Sequence, residues 1–210
     1  MFGDGSLTFR EWAMKEPYPL SVIHDAVLEF LRDRKDAVLY GAYAVNAYAG
    51  ESRLTQDVDL ASTRAPELVE ELRTFLHERF HIAVRSREVK GGIGYRIYQV
   101  RKPENRHLID VRPVAELPPA QRVKKVLVVT PPELIANKVA AYTHRRHKPK
   151  AGTDWRDLAI LLLTFPELKE VEGPVAERLR AAEASPDVMA AWKELVAQDI
   201  EAEEDEEEFQ

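Results

Sequence analysis

The segment "QDVDLAS", residues 56–62, restricts this chain more than any other stretch. Asp57 and Asp59 alternate with Val58 and Leu60. That is the period-2 pattern of a strand with one buried face. Residues i and i+2 of a strand leave the backbone on the same side. Val58 and Leu60 therefore predict a buried face, and both carboxylates emerge together on the opposite one. Like charges held that close disfavour each other and need solvent or a positive partner. A third acid, Asp110, lies in another apolar run, "HLIDVRP". Oxygen donors grouped on strands suit a hard divalent cation such as Mg²⁺ or Mn²⁺. On residue pattern alone, a second reading stands level with this one: the two acids line a solvated edge and pair with Arg53 or Arg64.

Around this segment the hydrophobic period alternates between helix and strand. "SVIHDAVLEFLRDRK" carries Val22, Ile23, Ala26, Val27, Phe30 and Leu31 at helical spacing, with Ser21 as its expected N-cap. "AVLYG" (37–41) predicts a short buried strand, and "AYAVNAYAG" (42–50) an alanine-rich helix closed by Gly50. "DVDLAS" (57–62) is the next strand, followed by an amphipathic helix over 65–80 with Pro66 in its first turn. "HIAVRSREV" and "IGYRIYQVRK" alternate as strands on either side of "KGG", so "GGIG" (91–94) predicts a hairpin turn. Further strands are expected at 107–114 and 125–129. From "TPPELIANKVAAYTHRR" onward the pattern is helical, with Thr130 as a cap and prolines in first turns. The expected organisation is an α+β core over 15–128, a helical bundle over 130–200 and an acidic tail at 201–210.

Charge and composition narrow the function. The net charge is −6, but the tail "EAEEDEEEFQ" alone holds seven acids between Glu201 and Glu208. The chain's 36 acidic residues less these seven leave 29 against 30 basic ones, a near-neutral body. Such a tail is expected to be solvated and disordered, or a frayed extension of the last helix. The chain has no cysteine, which excludes disulfides, thiolate metal sites and a thiol nucleophile. It lacks an apolar run long enough to span a bilayer and opens without a secretory pattern, so a cytoplasmic location is expected. "THRRHKPKAGT" (143–153) gathers Arg145, Arg146, Lys148 and Lys150 without an acid until Asp154. It reads equally as a solvated inter-helix loop or as a surface for an RNA backbone. His144 and His147 lack a clear third ligand for a metal.

One helix upstream of the acid pair, "VLYGAYAVNAYAG" runs from strand through Gly41 into a helix. The first amides of a helix and its dipole form a cradle for phosphate. Strand, glycine, helix and then "R-x-T-x-D-V-D-L" together resemble the nucleotidyltransferase superfamily of polymerase-beta-like proteins. The nearest branch is the AbiEii-type nucleotidyltransferases, which include toxins of toxin–antitoxin systems. The resemblance rests on Gly41, Arg53, Thr55, Asp57 and Asp59, with Asp110 matching the third acid. A second block, "PPELIANKVAAYTHRRHKPKAGTDWRDLAIL", matches through Lys138, Arg145 or Arg146, Asp154, Asp157 and Leu158. One departure is Ala42, where the family usually has Gly or Ser. Alanine keeps the backbone N–H, lacks a hydroxyl and tolerates positive φ poorly.

The resemblance implies a nucleotidyltransferase-like mixed β-sheet flanked by helices, followed by a helical bundle. It implies transfer of a nucleoside monophosphate from an NTP to an acceptor hydroxyl. Two ions, Mg²⁺ or Mn²⁺, are expected with NTP bound, held by Asp57, Asp59 and Asp110. Nucleotide contacts are expected from Gly41, Ala42, Arg53, Thr55, Lys138, Arg145 and Asp154, whereas Asp157 is expected to orient an arginine. A tRNA-like RNA is the expected acceptor, and a cognate antitoxin a possible partner. A small-molecule or protein nucleotidyltransferase, and an inactive nucleotide-binding relative, are the other readings.

Overall fold

Leu68, Val69, Leu72, Leu76 and Phe80 recur at spacings of one, three and four along "APELVEELRTFLHERF", and all five are buried. A stripe of that kind needs an apolar surface to cover, and each such side chain contributes about 1.5–3 kcal/mol when removed from water. That helix, Ala65–Phe80, matches the sequence expectation at both ends. In a computed structural model of the protein, the described residues are 18–49, 55–89 and 91–201. Gly50, Arg53 and the acidic tail beyond Glu201 fall outside them.

The helices are α1 (Leu20–Phe30), α2 (Gly41–Tyr48), α3 (Ala65–Phe80), α4 (Pro131–His144), α5 (Lys150–Thr164), α6 (Pro174–Ala181) and α7 (Pro186–Ala197). The strands are β1 (Ala37–Tyr40), β2 (Val58–Ser62), β3 (Val84–Glu88), β4 (Tyr95–Gln99), β5 (Arg106–Pro113), β6 (Ala120–Val123) and β7 (Val126–Val129). Of the described residues, one compact unit draws on 18–37, 55–117 and 124–127, and the other on 38–49, 118–123 and 128–201.

In the first unit the strands run in the order β3-β4-β5-β2. β2 and β5 are parallel, whereas β3-β4 and β4-β5 are antiparallel, so the sheet is mixed. Val58, Leu60, Ile97, Leu108 and Ile109 are fully buried in it. The β3-β4 turn uses two glycines in the left-handed region, Gly91 (φ 87°) and Gly92 (φ 69°), and Val89 N–H donates to Gly94 O at 2.8 Å. "GGIG" is thus a hairpin turn. Helix α1 meets α3 through the rings of Phe30 and Phe75, 4.9 Å apart. Arg34, between Asp36 and Glu71, bridges the two carboxylates at 2.8 Å each.

In the second unit β1 pairs in parallel with β7 at Leu39 and Val128, and β6 follows β7. Helix α2 is anchored by Tyr48, whose hydroxyl donates to Val129 O at 2.7 Å and whose ring meets Phe165 edge-on. Leu134, Ile135 and Val139 of α4, Leu158, Leu161 and Leu162 of α5, Val175 and Leu179 of α6, and Trp192 of α7 form the buried core.

Three helix starts depart from the sequence reading. α1 begins at Leu20 after Pro19, so Ser21 is inside it. Thr130 precedes α4 without a capping hydrogen bond from its side chain. α5 begins at Lys150, inside the segment 143–153 that reads as an inter-helix loop, and Asp154 lies within the helix. Strand β6, "AQRV", has two exposed central residues and no apolar alternation by which a sequence could announce it. No helix among the described residues is long and apolar enough to cross a membrane.

Candidate active site

The carboxylate face is built by two parallel strands of the first unit. Asp59 on β2 is the register partner of Asp110 on β5. Paired residues of a parallel ladder project to the same side, so Asp59 and Asp110 share one face of the sheet. Asp57 precedes β2 by one residue, and the Thr55 hydroxyl donates to its carbonyl at 3.4 Å. Asp57 and Asp110 keep 29% and 27% of their side chains exposed, enough to meet a ligand.

A residue absent from the sequence reading joins them. His107 Nε2 lies 3.0 Å from Asp110 Oδ1, and its Nδ1 lies 3.4 Å from Asp57 Oδ2. Strict alternation along β5 sends residues 107 and 110 to opposite faces. The β4-β5 ladder, however, shifts register: Ile97 pairs with Ile109 and Tyr98 with His107. Leu108 is the extra residue of this bulge, and such an insertion reverses the facing of everything before it. Leu108 and Ile109 are accordingly both buried, one after the other. The Tyr98 ring lies against the imidazole at 5.1 Å. A sequence signal does exist, a histidine three residues before a strand acid, but only the bulge gives it meaning.

The hydrogen bond with Asp110 raises the His107 pKa, and this outweighs the lowering effect of burial. Burial pushes the Asp110 carboxyl up, but the bond and charge of His107 and the charge of Arg96 prevail and hold it low. Arg96 donates to Asp110 Oδ1 at 3.1 Å from β4. Asp57, His107 and Asp110 each offer one donor atom, all within 4.8 Å of one another. Two oxygens and one imidazole nitrogen, partly exposed, fit a divalent cation.

In the second unit, Gly41 opens α2 with φ 68°, a backbone that favours glycine. Ala42 is buried inside the helix and is not among the residues with positive φ. The departure from Gly or Ser therefore costs no backbone strain. Lys138 on α4 donates to Asp157 on α5 at 2.5 Å, and its Nζ lies 3.9 Å from Asp154. Arg145 donates to both Asp154 oxygens, at 2.8 and 3.2 Å. Asp157 thus takes the lysine, and Asp154 takes Arg145. Lys138, Asp154 and Asp157 are 9%, 3% and 0% exposed. Arg146 pairs with Glu194 of α7. Of the four basic residues expected on one loop, two are engaged with carboxylates and Lys150 begins a helix.

Among solved structures, the chain is similar to the polyadenylate synthase of Megavirus, with a TM-score of 0.57 and 15% identity over 74% of this chain and 34% of that one. It thus spans about a third of that protein's length, and the likeness concerns the fold. Looser likenesses are to ANT(2")-Ia in complex with adenylyl-2"-tobramycin (TM-score 0.45, 16% identity, 83% of this chain and 97% of that one). A nucleotidyltransferase-like protein from Paracoccidioides brasiliensis is comparable (0.44, 19%, 83% and 90%). Comparison with curated protein sequences gives no match. The family model "Nucleotidyl transferase AbiEii toxin, Type IV TA system" matches residues 25–210. With the strand acids, the glycine-led helix and the lysine–aspartate pair all within that span, the chain belongs to the AbiEii nucleotidyltransferase toxin family.

Proposed function

We propose that this nucleotidyltransferase moves a nucleoside monophosphate from an NTP to a hydroxyl of a tRNA-like RNA. The observation that carries the chemistry is the register of Asp59 on Asp110, with Asp57 on the same side. Asp57, Asp59 and Asp110 would hold the divalent cation, Mg²⁺ in this reading. When bound, the cation supplies charge neutralisation for the attacking and leaving oxygens of the displacement. Asp110 is ionised at neutral pH and can accept the proton of the incoming hydroxyl at a carboxylate oxygen. The new bond joins that oxygen to the α-phosphorus, the α–β anhydride bond breaks, and pyrophosphate leaves. Family likeness assigns phosphate contacts to the amides of Gly41 and Ala42 and to Lys138, with Arg53, Thr55, Arg145 and Asp154 as further nucleotide contacts.

The RNA acceptor rests on the basic segment 143–150 and on the near-neutral body, which leaves binding of a polyanion to a local patch. A cognate antitoxin is the protein partner that the family name suggests.

Incubation with each labelled NTP, Mg²⁺ and either total RNA or lysate protein tests this reading. Label is expected in RNA. Label in protein alone, or in a small molecule, would replace the acceptor. No label with any acceptor, alongside nucleotide binding, would leave an inactive relative. Within the site, Asp110→Asn should stop chemistry with nucleotide affinity nearly kept, whereas Lys138→Ala, which also leaves buried Asp157 without its lysine and is compared only where it retains the parent's circular dichroism spectrum, should weaken that affinity. Equal losses of affinity would refute this division.

A further inference from the structure

We infer that His107 is a direct ligand of the divalent cation, and that its nitrogen biases the site toward a first-row transition ion such as Mn²⁺ over Mg²⁺. This rests on the metal site of the proposed function and deepens it. Three observations carry it. The β5 bulge turns His107 onto the carboxylate face against the alternation of the strand. The imidazole sits between two acids, with one ring nitrogen near each of Asp57 and Asp110. Finally, the three donor atoms lie within 4.8 Å of one another, a spacing that metal–ligand distances near 2.1 Å can close with small side-chain adjustments.

Donor chemistry then decides the preference. Mg²⁺ demands oxygen ligands and gives up water reluctantly, whereas imidazole suits transition ions. An all-carboxylate site separates Mn²⁺ from Mg²⁺ weakly. Adding one nitrogen penalises magnesium more than manganese. The opposite role is a histidine that merely hydrogen-bonds Asp110 and stays outside the coordination sphere when a cation binds. That role leaves the ion preference unchanged and gives no bonded nitrogen.

The test uses the full chain with Mn²⁺ alone. Electron paramagnetic resonance measures the affinity, competition with Mg²⁺ gives the preference, and pulsed methods detect a nitrogen-14 bonded to the ion. The parent, His107→Gln and Asp57→Asn are compared, each checked for the parent's circular dichroism spectrum. The parent should show the nitrogen coupling. His107→Gln should lose it and lower the Mn²⁺/Mg²⁺ affinity ratio at least about tenfold, since the loss of even an outer partner of a metal ligand costs about that much in affinity. Asp57→Asn should lose Mn²⁺ binding. If Asp57→Asn abolishes binding but the parent shows no nitrogen coupling and His107→Gln keeps the ratio, His107 is not a ligand and the carboxylate site stands. If neither variant changes Mn²⁺ binding, the metal site itself is wrong. Should His107→Gln fail to fold, absence of the coupling in the parent alone overturns the inference.

Discussion

Two clusters of charge, one in each compact unit, are built on opposite principles. Asp57, Asp59 and Asp110 stand on a strand face that is partly open to solvent, with His107 and Arg96 as nearby positive partners. Lys138, Arg145, Asp154 and Asp157 form two positive and two negative groups, and three of them are buried. Among the described residues, the second cluster is balanced in charge. The first leaves Asp57 and Asp110 partly exposed, an arrangement a cation would complete. Burial explains the contrast: charges removed from water must be matched where they stand, whereas half-exposed ones can wait for a ligand. A self-matched cluster serves the fold even where it also serves the reaction, so substitutions there carry a stability cost that the open cluster avoids.

The largest expected effect sharpens this contrast. Asp157→Asn leaves the Lys138 ammonium buried with Asp154 3.9 Å away as its remaining carboxylate. Breaking such a pair costs about 3–5 kcal/mol, and replacing both partners by Leu and Met should recover most of it. Urea denaturation of the parent and these two variants measures this. A loss below about 1 kcal/mol would place the second cluster with the first.

Acid sensitivity should come from beneath the open cluster. His24 of α1 is 1% exposed, and burial lowers its pKa to about 4 from 6.5, a drop reinforced by Arg106 and His107 and opposed by a hydrogen bond with the Leu108 backbone. The folded pKa is depressed, so the unfolded chain binds the extra proton first. Stability is full above pH 6.5 and falls as pH drops toward 4. The difference corresponds to about 3 kcal/mol. Unfolding free energies at pH 7, 5.5 and 4.5 should trace the decline, and His24→Leu should flatten it. A parallel decline in the variant would assign the effect to the carboxylates.

A smaller effect belongs to the open cluster itself. With Mg²⁺ and nucleotide at about 100 times Kd, the parent should gain about 2.7 kcal/mol. Asp57→Asn combined with Asp59→Asn should abolish that gain, with little loss of stability in cation-free buffer. Thermal denaturation with and without ligand checks both statements. A double variant that responds like the parent would remove the cation from the first unit.

The smallest effect concerns RNA. Arg145 and Arg146 already have carboxylate partners, which leaves Lys148 and Lys150 as the more available charges. Replacing these two by Ser should flatten the salt dependence of tRNA binding by roughly 1.4, about 0.7 per phosphate contact. An unchanged slope would move the RNA surface away from 143–150.

By itself, the sequence determined most of the local structure and the acids. Alternation at Val58 and Leu60 predicts β2, and the stripe from Leu68 to Phe80 predicts α3, because a period is a property of neighbouring residues. The family blocks around Asp57 and Lys138 are likewise local in sequence. Strand β6 was not legible, since its central residues are exposed and carry no alternation. Tertiary structure alone decided the partners. Lys138 meets Asp157 across two helices, a pairing that depends on how α4 packs on α5. His107 reaches the carboxylates only because Leu108 is squeezed out of register between β4 and β5. Alternation predicts the facing of a regular strand, but a bulge exists only between paired strands, so the residue that completes the acid cluster could be found only once the chain had folded.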